Sequence, residues 1–486
     1  MPKCIVLCGV ALLSVPSFLF SGCAVGPDFV KPEAPMAKSY VREVLPVHEG
    51  LGQRFDEGIG PAAYWWKSFG SSQLDAVVAE CLVNNPGLQA AEASLRESRE
   101  NLIAGAGIFY PQVSSTFSYL REAASPTVSG GSGAIFNLTT LSASVSYALD
   151  LFGGQRRSVE ALGAQVDVQR AQTIGVYMTL TGNIVNTCIA IAAYREELDE
   201  INQLIAIEKD QLSIATKQNQ AGIAPYSAVL AMQNQLASLE ASAPPVRQKL
   251  SQAEHLLATL AGKAPAEWET PDMRLSGISL PDRVPLSLPS ELVRQRPDIL
   301  AAEAGLHAAS ARIGVATAAL FPSFALAGSY GRSGNGIDGL SDPASRFWSI
   351  GGNALQPVFN GGSLRAKRRA AIDVRDQHLA LYRQTVLSAF AQVADLIRAL
   401  EHDAEQLQAG LKAVESTRLA LDLVQANYKA GMVNYLQVIL ADIQYRQARI
   451  GYLQTRARQM QDTAAMYVAL GGGWQSDDGA KAKVGL

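Results

Sequence analysis

Proline is missing from two long stretches of the chain: none lies between Pro126 and Pro225, and none after Pro357. An internal proline removes a backbone donor and breaks a helix, so these stretches are where long helices are permitted. Two tracts of about 65 residues fit, roughly 155–219 and 364–429, each followed by one of about 35, roughly 227–260 and 436–469. At about 1.5 Å per residue the longer tracts are rods of about 100 Å, and a compact globule has no use for them.

Cysteine is scarce, with five in 486 residues. Cys81 and Cys188 have neither CxxC nor metal-type spacing and read as buried free thiols. Charge of one sign is also lacking: 41 basic residues face 44 acidic ones, a net −3, which removes any electrostatic case for nucleic acid. The five histidines (His48, His255, His307, His378, His402) are scattered, and no His-x-x-x-His pair occurs. Gly130-Gly131-Ser132-Gly133 lacks the lysine of a phosphate loop. A periplasmic enzyme would need a charged constellation that the sequence does not offer, so no catalytic activity, metal or cofactor is expected.

The N-terminus carries Lys3, an apolar run from Cys4 to Phe20, and Ser21-Gly22 ahead of Cys23. This reads as a secretory signal over 1–22, too short to span a membrane. Phe20-Ser21-Gly22-Cys23 resembles a bacterial lipobox, with Phe20 where leucine is usual; Cys23 is then the lipidation site, carrying palmitate. Ala24 in place of aspartate implies sorting to the outer membrane. Two or three acyl chains hold firmly where one holds weakly.

The chain is also duplicated. Pro86-Gly87-Leu88-Gln89-Ala90-Ala91-Glu92, Tyr110-Pro111 and Ser118-Tyr119 reappear, at a spacing of about 211 residues, as Pro297-Asp298-Ile299-Leu300-Ala301-Ala302-Glu303, Phe321-Pro322 and Ser329-Tyr330. Leu151-Phe152-Gly153-Gly154 with Arg156-Arg157 is echoed by Val358-Phe359-Asn360-Gly361-Gly362 with Arg368-Arg369, Ala221-Gly222 and Tyr226 by Ala430-Gly431 and Tyr435, and Leu260-Ala261-Gly262 by Leu470-Gly471-Gly472. So long a period marks two domain-sized repeats rather than a solenoid.

Within the repeats two periods alternate. Val393, Ile397, Leu400, Ala404, Leu407, Leu411, Val414, Arg418, Leu421, Gln425 and Tyr428 step by four and three, a heptad seam that predicts coiled-coil packing. Leu141, Ala143, Val145, Tyr147 and Leu149 instead alternate with Ser142, Ser144, Ser146 and Ala148, and Gln112–Tyr119, Ser323–Tyr330 and, less cleanly, Phe347–Phe359 follow. Each repeat is thus expected to hold one hairpin of strands about ten residues long, with no further strands. Such strands suit a bilayer-spanning wall or the face of a soluble sandwich; the lipobox favours the wall. Lipid tolerates no open sheet edge, so four strands per chain require an oligomer. Arg156-Arg157 and Arg368-Arg369 fall just after the strands, either meeting anionic headgroups or standing as solvated helix-start charges.

These residues resemble a family, the TolC-like outer-membrane efflux channels, and in particular the lipoprotein branch serving resistance-nodulation-division pumps. Cys23-Ala24-Val25-Gly26-Pro27-Asp28-Phe29 with Pro32 and Pro35, Trp65-Trp66-Lys67-Ser68-Phe69 with Leu74 and Asn84-Asn85-Pro86, and Leu288-Pro289-Ser290-Glu291-Leu292 through Arg296-Pro297-Asp298 to Phe321-Pro322 carry the resemblance. It implies a mixed α/β membrane protein: a homotrimer whose twelve strands, four per protomer, close one β-barrel in the outer membrane, continued by a long periplasmic α-helical coiled-coil barrel. The expected organisation is signal 1–22, lipid-anchored segment 23–64, first repeat 65–262 with its hairpin at about 110–150, equatorial linker 263–287, second repeat 288–473 with its hairpin at about 321–360, and tail 474–486.

The resemblance further implies passive conduction of drugs or metal ions out of the cell, with a periplasmic adaptor protein, an inner-membrane efflux pump and outer-membrane lipid as partners. It puts the entrance and adaptor-docking turns at Gly222 to Tyr226 and Gly431 to Tyr435. Leu440 occupies the position where relatives often carry an acidic residue, and Asp442 lies about 200° round the helix from it; the gate is thus open between an acidic ring and an apolar constriction. The competing reading is a lipid-anchored structural or secretion-accessory protein whose helices enclose no pore.

Overall fold

The structure is a computed structural model and describes residues 24–33, 37, 39–42, 53–123, 135–472 and 474. The signal, Cys23, the 130–133 glycine run and nearly all of the tail lie outside the described residues. In chain order the elements are β1 Arg54–Glu57, a 3₁₀ turn Trp65–Phe69, α1 Ser72–Asn84, α2 Pro86–Ala106, β2 Gln112–Ala123, β3 Ile135–Leu149, α3 Gly154–Gln220, α4 Tyr226–Leu260, β4 Arg283–Leu286, α5 Pro289–Gln295, α6 Pro297–Ala318, β5 Ser323–Gly334, β6 Arg346–Leu355, α7 Ser363–Lys429 and α8 Tyr435–Ala469. The proline-free tracts are the two 67-residue helices α3 and α7. α4 shows the limit of the proline argument, because it runs through Pro244 and Pro245. Both are exposed, so the carbonyls they leave without donors face solvent, and Ser242 Oγ bonds Leu239 O at 2.7 Å beside them.

The chain forms two compact units that cut across the repeats. One draws on 24–32, Arg96–Val168 and Ala302–Tyr382; the other on Glu33–Leu95, Gln169–Ala301 and the chain from Arg383 on.

The first unit holds an antiparallel sheet in the order β2-β3-β5-β6. Its register aligns Ser114, Ser144, Ser329 and Ser349 in one row across all four strands, with side-chain bonds Ser114–Ser144 at 2.8 Å and Ser329–Ser349 at 2.7 Å. The neighbouring row, Val113, Val145, Gly328 and Ile350, belongs to the other face. There Val113, Phe117, Tyr330, Trp348 and Ile350 stand exposed, uncovered by any of the described residues. β2 and β6 each pair on one side only among the described residues. The junction motifs of the two repeats meet below the sheet, where Phe152 stacks on Phe321 at 4.7 Å.

In the same unit the segment 24–32 is strapped down. Val25 N donates to Phe152 O, Arg157 bonds Asp28 at 2.5 Å and Glu160 at 2.8 Å, His307 stacks on Phe29 and bonds Glu160, and Lys31 pairs with Glu303. Gly153 and Gly314 allow this approach, since a Cβ on Gly153 would collide with Ala24 and one on Gly314 with the stem of Arg157. Arg157 is therefore neither of the two things its position after the strands suggested, a headgroup ligand or a solvated charge. It is buried, and Arg156 is paired with Asp150. Arg368 and Arg369 are exposed.

The second unit has the main core. Trp65, Trp66 and Phe69 are buried with Leu74, Ile184, Ile189, Leu257, Met460 and Tyr467, and Trp65 stacks on Tyr467 at 5.2 Å. Cys81 and Cys188 are buried here as free thiols. Asn85 closes two helices at once: its Oδ1 accepts from Leu88 N, and its Nδ2 donates to Leu260 O. The heptad seam of α7 is buried at Val393, Ile397, Leu400, Ala404, Leu407 and Leu421, but Arg418, Gln425 and Tyr428 are exposed. The expectation of no further strands is overturned by β1 and β4, which pair in parallel from Arg54↔Arg283 to Glu57↔Leu286. Four residues are too few to show a two-residue period, Pro285 speaks against a strand, and the partner lies more than two hundred residues away.

Candidate functional site: the helix-to-helix turns

α3 and α7 end in the same way. Gly222 and Gly431 adopt φ of 75° and 72°, a left-handed geometry that glycine takes at little cost. Ile223 N then donates to Gln218 O and Gly222 N to Asn219 O; in the second turn Met432 N donates to Asn427 O and Gly431 N to Tyr428 O. These are paired Schellman closures. The following helix starts at Tyr226 after Pro225, and at Tyr435 after Asn434, whose side chain accepts from Gln437 N. Asn219 Nδ2 also reaches Ala224 O, and Tyr428 lies 5.4 Å from Tyr435.

A Schellman turn ordinarily covers its penultimate apolar residue with one from the helix's last turn. Here the facing positions are Gln218 and Asn427, so Ile223 stays 76% exposed and Met432 69%. Tyr226, Leu230, Leu436 and Leu440 are exposed as well. Each turn thus offers an apolar tip on a rigid closure. Sequence reading placed the turns but not Ile223 and Met432, for which the signal was present: an apolar residue after the closing glycine with a polar residue opposite.

Leu440 is half-exposed, whereas Asp442 is bound to Arg446 at 3.1 Å on the next turn of α8. Arg446 also bonds Gln203 and meets Glu200 at 3.1 Å, and Arg449 meets the other Glu200 oxygen at 3.0 Å. Glu200 is buried in α3. Asp442 therefore belongs to a clamp between α3 and α8 and is not a free carboxylate. Glu200, Arg446 and Arg449 escaped the sequence reading because their association is between helices. Among the described residues no group of acidic, histidine or cysteine side chains is arranged to hold a metal.

The sequence profile of a family described as "Outer membrane efflux protein" matches residues 77–263 and 288–472. The pyoverdine export outer membrane protein OpmQ of Pseudomonas aeruginosa is 28% identical over 420 residues, covering 85% of this chain and 88% of that protein. The cation efflux system protein CusC of Escherichia coli is 27% identical over 468 residues, covering 94% and 96%. Among solved structures the outer-membrane channel OprN superposes with a TM-score of 0.83 at 27% identity, over 93% of this chain and all of that one.

Proposed function

The chain belongs to the outer membrane efflux protein family, and from that membership we propose that three copies form the outer-membrane conduit of a tripartite efflux system. Small molecules, drugs or metal ions, leave through it from an inner-membrane pump and a periplasmic adaptor. The observation that supports the trimer is the sheet: its exposed apolar face suits lipid, but its two edges, unpaired among the described residues, cannot persist there and call for neighbouring copies. Three four-stranded sheets joined edge to edge make a closed twelve-stranded wall with Val113, Trp348 and Ile350 towards lipid and the serine row towards the lumen. The long helices then build the periplasmic tunnel.

Cys23 is the acyl anchor in this reading. The strap that follows it fixes Ala24 against Gly153, at the foot of the strands. The turns Gly222 to Tyr226 and Gly431 to Tyr435 form the entrance and the adaptor-docking tips, with Ile223 and Met432 as the apolar contacts. Leu440 narrows the entrance, and Asp442 serves the clamp.

Electron microscopy of the detergent-extracted full-length protein, with conductance in planar bilayers, tests this. Three-fold hollow particles that conduct are expected; compact monomers without conductance would leave the lipid-anchored scaffold reading in its place.

A further inference from the structure

In the first unit α3, α6 and the start of α7 line a cleft of about 470 Å³. Arg312, which lines it, lies two residues from Gly314, about 200° round α6 from the position the strap touches. Leu162, Val315, Ala316 and Leu364 give the cleft an apolar floor, and Arg312 and Lys367 stand at it with no carboxylate in the lining. Both cations are exposed and make no ion pair among the described residues. This contrasts with the strap face of the same helices, where Arg157 and Lys31 are each committed to acidic partners.

We infer that this cleft is a binding site for a small anionic amphiphile, a soluble molecule with one acidic head and an apolar body. The head meets Arg312 and Lys367, and the body covers the aliphatic floor, whose removal from water is favourable. A neutral solute gains only the floor, and a cation is repelled. The inference rests on the conduit reading for one point only: in a conduit the occupant of this cleft is cargo in transit.

The test uses the full-length protein in nanodiscs of zwitterionic lipid with a diazirine-bearing decanoate as the probe. Photolabel is expected on peptides containing Leu162, Val315 and Leu364. Arg312→Gln with Lys367→Gln should lower it about tenfold, the ratio expected when a charge-assisted contact is lost. The methyl ester of the probe should label as weakly as that variant, while Arg368→Gln with Arg369→Gln keeps the wild-type yield. Equal labelling by acid and ester, equal loss in both double variants, or label confined to the strands would overturn the site. Loss of label when phosphatidylglycerol replaces the zwitterionic lipid would make it a headgroup site and overturn the proposal as stated. Conductance of the same samples separates the two readings: charge-dependent labelling without conductance sinks the conduit and leaves the site, whereas conductance with charge-independent labelling does the reverse.

Discussion

Single residues in the second unit are set by burial more than by motif. Asp403 is buried on α7 with its Oδ2 unbonded among the described residues, and burial together with the neighbouring Asp462 carboxyl pushes it from 3.8 up to about 7, against the smaller opposing pull of Arg458 and His402. The folded state therefore holds a proton that the unfolded chain has released, and stability falls as pH rises through that window. Wild-type protein should lose denaturant resistance as pH rises from about 4 to about 7, and Asp403→Asn should flatten that slope; an unchanged slope by equilibrium unfolding would show that the carboxyl does not titrate there. Cys81 is likewise pushed up to about 12 by burial, then by Glu80, and Cys188 is pushed up by burial as well. Neither thiol should react with an aromatic disulfide reagent before unfolding. Unfolding should then release two thiols, Cys81 and Cys188, and a third would mean that Cys23 carries no thioether. Sequence reading found these two cysteines buried because their spacing excluded the alternatives. It had no means of finding the Asp403–Asp462 encounter, which joins α7 to α8.

At the scale of elements, the long helices were legible from proline exclusion over many residues, joined on α7 by the heptad steps from Val393 to Tyr428. α3 and α7 depart from the expected bounds by a residue at most. Leu407, buried on the seam of α7, is a sensitive probe. Leu407→Pro removes a helical bond and costs about 3 kcal/mol or more, so the variant should fail to assemble, as judged by size-exclusion of the extracted protein. The same cost has been absorbed at Pro244 and Pro245, where both rings face solvent on α4, so a proline's position on the helix decides its effect. The heptad count did not show where the seam would be covered. Its polar steps, Arg418 and Gln425, lie towards the Gly431 turn, and Tyr428 is exposed beside them. β1 and β4 were illegible for the opposite reason, since their pairing is long-range and their residues carry no local pattern.

For the whole molecule, the side of the sheet that meets lipid can be asked of two adjacent residues. Ile350 is 84% exposed on the apolar face, and Ser349 is on the serine row. Lysine on the lipid face near the bilayer midplane costs about 2–4 kcal/mol. Ile350→Lys should therefore block insertion into liposomes, read as loss of the folded band on unheated gels, while Ser349→Lys inserts and changes conductance instead. Equal behaviour of the two would contradict a wall with one lipid face. The alternation that supports this was visible in the sequence; the alignment of four serines into one row was not, because register depends on strands from both repeats.

The division of the chain has a consequence for its biogenesis. Each compact unit draws on stretches from both repeats, and in the second unit Thr463 donates to Gln53 across 410 residues. The first unit needs the chain through Tyr382, and the second needs the stretch from Arg383 on as well. The repeats, although they are copies of one ancestral segment, cannot serve as successive folding intermediates, and long-range closure of this kind is slow. Between secretion and insertion the chain has to be kept unfolded, with its apolar strands shielded, until its own C-terminus arrives.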